Sequence, residues 1–278
     1  MIDISKIDYS ALDRPQVLHF LFHPRPETPP SPFQAADSTG LIPREKDILI
    51  PVEEEVVIGA RFHMAENSGA NLLFFHGNGE IVADYDELGP VYNQMGINLL
   101  AVDYRGYGRS TGKPTVSAMM RDCHVIFEFV QNWLRQNNYT GPLLLMGRSL
   151  GSAPVLELAA AGADAADGLI VESGFAYAAP LLRLLGLDPE KLGFKEDKGF
   201  RNIDKIKIFN KPTLVIHAEF DHIIPFSDGE ALYKASSAPD KTFLKIPGAN
   251  HNDIFMRGLK EYLAAVKNIV ERLKTNPA

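Results

Sequence analysis

Five residues, Gly147-Arg148-Ser149-Leu150-Gly151, join an apolar strand-like run, LLLM, to a helix-forming run, APVLELAAA. A serine on so tight a strand-to-helix turn is lifted out of the backbone onto a helix N-terminus, provided the residues two before and two after it are small. Gly147 and Gly151 meet that condition. A hydroxyl presented this way can attack a carbonyl carbon, and the resulting oxyanion needs two donors already in place. One is the backbone N–H of Leu150. The segment Phe75-His76-Gly77-Asn78-Gly79, which closes another apolar run, is expected to supply the second through the N–H of Asn78. His76 sits where it would brace that loop rather than act as a base.

A serine hydroxyl is a weak nucleophile until a general base takes its proton. Where the nucleophile sits on such a turn, an acid and then a histidine follow it along the chain. Three histidines follow Ser149: His217, His222 and His251. His251 lies in Pro247-Gly248-Ala249-Asn250-His251-Asn252-Asp253, a loop between the last apolar run and the last helix-length segment, from which a side chain can reach back over the turn. His217 falls inside the run TLVIH and reads as a packed strand residue, while His222 reads as exposed or supporting. Asp221 closes TLVIHAEFD at the carboxyl end of a strand and is the favoured acid, with Glu172, at the end of GLIVES, as its rival. The acid holds the imidazole in one tautomer and stabilises its charged form.

The chain that must position these groups has 278 residues, 45% hydrophobic and 23% charged, with 22 Gly, 19 Pro and one Cys. That is the composition of a globular chain, not of a disordered or collagenous one. Its net charge of −7 has the wrong sign for steering a nucleic-acid backbone, so no nucleic-acid partner is expected. Cys123 alone can neither close an intramolecular disulfide nor build a Cys-based zinc site, and no H-E-x-x-H spacing occurs, so no metal is expected. No apolar run approaches ~18 residues, so no integral membrane segment is expected. MIDISKIDYSALDR carries acids where a signal peptide needs a basic start. A cytoplasmic protein is the expectation, and the oligomeric state stays open.

Short apolar runs recur, each closed by Gly or a polar loop: 71–78, 97–106, 143–149, 168–174, 213–221 and 243–247. Runs that are apolar throughout, rather than alternating, are those of strands buried on both faces. Residues 47–52 and 55–65 suit an antiparallel pair at the sheet edge. Helix-length segments lie between the runs. They include 116–133, with Cys123 on its apolar stripe and Thr115 or Ser117 as its cap, and 254–273. This alternation predicts an α/β fold, one doubly wound domain over 47–278 with a mostly parallel sheet. Residues 1–46 form a lead-in whose Pro-rich stretch, 24–33, cannot continue a helix and reads as a connector. The lead-in is then a strap over the domain surface or a loose tail. Residues 175–212 are too long for a simple crossover and read as a small helical lid insertion above the strand ends. Residues 106–113, GYGRSTGK, suggest a nucleotide loop, but their glycine spacing fits neither a dinucleotide fingerprint nor a P-loop, and they read as a structured turn.

With these residues in place, the chain resembles the α/β-hydrolase superfamily over about residues 47–273. FFHGNG, VDYRGYGRSTGKP, LLLMGRSLGS, LIVESGF, LVIHAEFDHIIPF and IPGANHND are similar to the successive blocks of one branch of small serine hydrolases. That branch includes bacterial esterase-like and peptidase-like proteins and eukaryotic protein depalmitoylases. The lead-in FLFHPRPETPPSPF is similar as well. The resemblance implies an α/β-hydrolase fold with Ser149 as nucleophile, Asp221 as acid and His251 as base. It implies no cofactor, and a small-molecule or acylated substrate cleaved at a carboxylic ester or thioester through an acyl-enzyme. Two positions depart from the usual blocks, which read Gly-Arg-Ser-Leu-Gly-Gly and His-Gly-Asn-Ala-Gly. Ser152 stands where a Gly is usual, and Gly79-Glu80 alters the oxyanion loop, with Glu80 expected at the rim. The Cys-rich or hydrophobic N-terminus of membrane-associated relatives is not seen, which weakens transfer of a depalmitoylase role. Two other readings stay open. One is a serine peptidase or amidase on small peptides, in which Glu172, Glu80 or Asp188 would hold a substrate amino terminus. The other is a non-catalytic binding protein of the same fold, a class that usually lacks a triad member.

Overall fold

A computed structural model describes residues 3–28, 45–162 and 165–275. The apolar runs become strands β1 (Glu45–Glu53), β2 (Val56–His63), β3 (Ala70–Phe75), β4 (Ile97–Val102), β5 (Leu143–Arg148), β6 (Gly168–Glu172), β7 (Thr213–Ala218) and β8 (Lys241–Ile246). They form one eight-stranded sheet in the order β1-β2-β4-β3-β5-β6-β7-β8. β1 pairs antiparallel with β2 and β2 with β4, and the other neighbours are parallel. The antiparallel edge pair and the parallel interior are those that the two kinds of apolar pattern predict.

Helices α1 (Pro15–Leu21), α2 (Leu88–Gln94), α3 (Val116–Gln136), α4 (Ser152–Ala161), α5 (Ala178–Leu184), α6 (Asn202–Lys205), α7 (Phe226–Ala235) and α8 (Ile254–Thr275) connect and cover the strands. Alternate residues of the parallel strands feed two cores. Leu73, Phe75, Leu100, Val102, Leu145 and Val171 pack with α3 and α4, whereas Leu72, Phe74, Leu99, Leu144 and Met146 pack with α2 and α8. Each such side chain stabilises the fold by about 2 kcal/mol when fully buried, and together they hold the strand ends rigidly. Among the described residues no helix is long and apolar enough to cross a membrane.

Thr115, not Ser117, caps α3: its hydroxyl accepts the Ala118 N–H at 3.0 Å. Asp13 adds a second cap from the N-terminal segment, accepting the Val116 N–H at 2.7 Å. Residues 3–28 bury Tyr9, Leu12, Val17, Leu21 and Phe22 in the first core. Residues 29–33, the second half of the Pro-rich stretch, lie outside the described residues. α8 kinks at Gly258, where a Cβ would stand 2.6 Å from Ile246 on β8, so only glycine lets this helix settle so close to the sheet. Between β6 and β7, residues 175–212 contain α5 and α6, and the segment packs on the first core through Phe175, Leu182, Phe200 and Ile206.

Candidate active site

Ser149 follows β5 directly, at the carboxyl edge of the sheet, and starts a single 3₁₀ turn before α4. Its φ is 52°, the left-handed region that costs a non-glycine residue about 1–3 kcal/mol. Two glycines make the turn possible. A Cβ on Gly147 would lie 2.1 Å from the Gly151 carbonyl oxygen, and one on Gly151 would lie 2.0 Å from the Phe75 carbonyl oxygen on β3. Gly151 therefore sets how closely the serine turn approaches the loop that follows β3. Gly151→Ala should destabilise the protein by about 3 kcal/mol through this backbone clash, read as a lowered urea midpoint. Ser152, the departure from the family's glycine, is fully buried and donates its hydroxyl to the Ser149 carbonyl at 2.6 Å, tying down the strained residue.

The structure brings Ser149, His251 and Asp221 into one hydrogen-bonded path. His251 Nε2 lies 3.0 Å from Ser149 Oγ, and His251 Nδ1 lies 2.7 Å from Asp221 Oδ2. An ionised carboxylate only accepts, so Nδ1 carries the proton and Nε2 is left to accept from the serine hydroxyl. Asp221 Oδ1 accepts the Ile223 and Ile224 amides at 2.9 and 2.7 Å. Burial alone would raise the Asp221 carboxyl, but the bond to His251 and these two amides outweigh it and hold the group below its ordinary range.

The other candidates take supporting places. His217 is buried on β7, and its Nε2 lies 2.9 Å from the Ile224 carbonyl, behind the Asp221 turn. His222 is exposed. The rival acid Glu172 is not bonded to an imidazole: its oxygens take Arg148 Nε at 3.2 Å and the Tyr262 hydroxyl at 2.7 Å. His76 has Gly77 O at 2.8 Å on Nδ1 and Asp103 Oδ1 at 3.1 Å on Nε2. Both partners accept, so its ring holds the loop and has no nitrogen left to serve as a base.

Asn78 and Leu150 line one cavity of ≈ 60 Å³ with Ser149, and the rest of its wall is apolar: Phe20, Leu21, Phe175, Leu181, Leu185, Ile223 and Ile224. The Asn78 loop is braced from several directions. The Tyr104 hydroxyl donates to His76 O at 2.6 Å, and the Gly77 N–H donates to Glu80 Oε2 at 2.7 Å. The same Glu80 oxygen takes the Tyr85 hydroxyl at 2.6 Å.

Glu80 is thus not at the rim, as its position in the sequence suggests, but turned inward against Arg148. Arg148 is buried and spends its guanidinium on three partners. They are Glu80, Glu172 at 3.2 Å, and the His251 carbonyl oxygen at 2.9 Å. One side chain therefore ties the Asn78 loop, the serine strand and the histidine loop together. Burial raises the Glu172 carboxyl despite Arg148, whereas for Glu80 the same burial is outweighed by Arg148 and Tyr85, which hold it below its ordinary range. Arg148→Met would strand the buried Glu172 carboxylate and the half-buried Glu80, and should cost about 3 kcal/mol of stability, read from urea unfolding at neutral pH.

The sign of the Glu80 effect can be checked against pH. A carboxyl depressed in the folded state contributes stability above its unfolded value and loses it as the pH falls through the folded one. The difference in urea midpoint between wild type and Glu80→Gln should be full at neutral pH and shrink once the pH drops below about 4.

Several supporting residues were not singled out by sequence reasoning. Arg148 had a signal, a charge inside an otherwise apolar run, yet its partners come from the end of β6 and from two separate loops. The segment read as a structured turn, residues 106–113, does adopt left-handed glycines at Gly106, Gly108 and Gly112. It also positions Tyr107, whose hydroxyl donates to Asn78 Oδ1 at 2.7 Å.

The comparisons with known proteins agree with this architecture. Residues 66–187, from before the Asn78 loop to just past α5, match the family described as serine aminopeptidase, S33. Human alpha/beta hydrolase domain-containing protein 17B is 33% identical over 218 residues, covering 76% of this chain and 69% of that protein. Protein Rv2307c of Mycobacterium tuberculosis is 28% identical over 238 residues, covering 81% of this chain and 78% of its own. Among solved structures, Est1E from Butyrivibrio proteoclasticus with ferulic acid bound superposes with a TM-score of 0.67 at 18% identity, over 82% of this chain and 100% of that one. The Pyrococcus furiosus esterase Pf2001 also gives 0.67, at 19% identity, over 90% and 98%. The last two likenesses are of fold. With one-third identity to the human protein along most of both chains, and a serine turn on the fifth strand of a mostly parallel sheet, the chain belongs to the α/β-hydrolase superfamily.

Proposed function

We propose that the protein is a serine hydrolase that cleaves a carboxylic ester or thioester through Ser149, His251 and Asp221 and an acyl-enzyme intermediate. The observation that carries this reading is the path Asp221–His251–Ser149, with bonds of 2.7 and 3.0 Å, ending on a serine in the left-handed region. His251 removes the Ser149 proton as Oγ bonds to the acyl carbon, and Asp221 stabilises the imidazolium that forms. The Leu150 and Asn78 amides receive the oxyanion, each such donor supplying about 2.7–4 kcal/mol of transition-state stabilisation. His251 then gives the proton to the departing alkoxide or thiolate. Water repeats the sequence on the acyl-enzyme and releases the acid and free Ser149. This chemistry needs no cofactor.

The apolar wall beside Ser149 favours the acyl side of the substrate as the part held there. Leu181 and Leu185 bring α5 and its end into that wall, which supports residues 175–212 as a lid on a catalytic domain spanning 47–278. The same surroundings weigh against a peptide amino terminus as the anchored group. Glu80 and Glu172 are both taken by Arg148, and Asp188 faces the turn that follows it, accepting the Glu190 and Lys191 amides at 3.1 and 3.2 Å. A hydrolysis screen over acyl esters of increasing length, acyl-thioesters and aminoacyl amides tests the reading. Turnover of esters or thioesters that disappears in Ser149→Ala is expected; turnover confined to the amides overturns it.

A further inference from the structure

The oxyanion loop has an unusual weakness. Asn78, whose N–H must point at the oxyanion, lies between Gly77 and Gly79, and Gly79 stands in the left-handed region at φ 77°. Glycine on both sides leaves the backbone free to turn that N–H away, and an oxyanion donor is effective only when fixed beforehand. Glu80 and His76 hold Gly77 on one side, and the Asn78 side chain holds the peptide between the two glycines. Its Oδ1 accepts from the His23 backbone N–H at 2.8 Å and from the Tyr107 hydroxyl at 2.7 Å, while its Nδ2 lies 2.9 Å from His23 Nδ1.

The chemistry of these partners assigns every proton. A backbone N–H can only donate, so the amide oxygen must face His23 N, and Nδ2 must face the ring. Nδ2 also only donates, so His23 Nδ1 must accept, and its ring is the neutral form protonated on Nε2. Next along the chain, Arg25 Nε donates to the Gly79 carbonyl at 2.7 Å, and Arg25 pairs with Asp84. The Gly108 N–H donates to Arg25 O at 2.9 Å, and the Glu27 N–H to Gly108 O at 3.1 Å, so this stretch is laced to the Tyr107 turn. On the other side of His23, Tyr9 donates to Glu157 at 2.6 Å and Asp13 caps α3, so the segment is anchored at both ends. Phe20 and Leu21, from the same segment, line the Ser149 cavity.

We propose that His23 is a positioning residue for the reaction, fixing the Asn78 amide in the oxyanion hole through the Asn78 side chain, so that the N-terminal segment is a working part of the active site. This rests on the serine-hydrolase reading above. His23 is exposed, so its replacement removes little packing.

The test uses the full chain with two substitutions. His23→Ala keeps the backbone N–H and loses only the ring acceptor; His23→Asn restores an acceptor at the place of Nδ1. On an ester that wild type turns over, His23→Ala should lower kcat about tenfold with KM and the urea midpoint nearly unchanged, and His23→Asn should recover most of the loss. Hydrogen exchange of the 76–80 backbone should quicken in His23→Ala and return to the wild-type rate in His23→Asn, with no substrate present. Wild-type kcat and exchange in His23→Ala, or a loss that His23→Asn does not restore, overturns the proposal. If wild type turns over neither esters nor thioesters, the serine-hydrolase reading fails instead, and the exchange rates alone decide whether His23 braces the loop.

Discussion

Ser149→Ala and His251→Ala are each expected to lower kcat by about 10⁶-fold, and the double variant to fall no further. On the proposed mechanism the hydroxyl and the imidazole, 3.0 Å apart, act as one unit: without the base the serine keeps its proton, and without the serine the base has nothing to activate. What remains in any of the three variants is the contribution of the oxyanion donors and of substrate binding, about 10³-fold over water. Both residues are buried, so the urea midpoint of each variant is measured beside kcat to separate lost stability from lost reaction. The measurement is kcat for the three variants on the best ester found. Losses that multiply in the double variant would mean that the two groups act separately, which the shared bond does not allow.

Asp221→Asn is expected to lower kcat by about 10⁴-fold while leaving the fold intact. The reason lies in the partners of the carboxylate. Ile223 and Ile224 both donate amides to Oδ1, so an asparagine must keep its oxygen there and turn its NH₂ toward His251 Nδ1. Two donors cannot face each other, so the imidazole proton moves to Nε2, where it confronts the serine hydroxyl instead of accepting from it. The companion variant Glu172→Gln should leave kcat far less affected, because Glu172 bonds Arg148 and Tyr262 and not the imidazole. A small loss in Asp221→Asn together with a large one in Glu172→Gln would reverse the assignment of the acid.

The strands were legible in the sequence because burial on both faces writes itself as a continuous apolar run. β4, β5, β6 and β7 fall inside runs marked by that pattern, and β3 starts one residue before its own. α3 and α8 were legible for the complementary reason, an apolar stripe repeated over many turns, although the kink at Gly258 depends on Ile246 and leaves no local trace. The serine turn could be read because its steric demand is local: both glycines it needs are within two residues.

What could not be read is pairing between distant polar groups. Glu80 looks like a surface residue of a loop until Arg148, from another strand, turns it inward. His23 and Asn78 are separated by a Pro-rich stretch and three strands, and nothing in either neighbourhood names the other. The lead-in could be read as a strap from Phe20 and Phe22, but its hydrogen bonds to the oxyanion loop depend on the Tyr107 turn, whose glycines were visible and whose use was not.

The most direct test of the central claim is covalent labelling with a fluorophosphonate. The phosphorus reagent mimics the tetrahedral carbon, so it reacts only where a hydroxyl, a base and two oxyanion donors converge. Folded wild-type protein should take up one adduct, located by mass spectrometry on the peptide that carries Ser149, and Ser149→Ala should take up none. A folded wild-type protein that stays unlabelled, or an adduct on any other residue, would contradict the account.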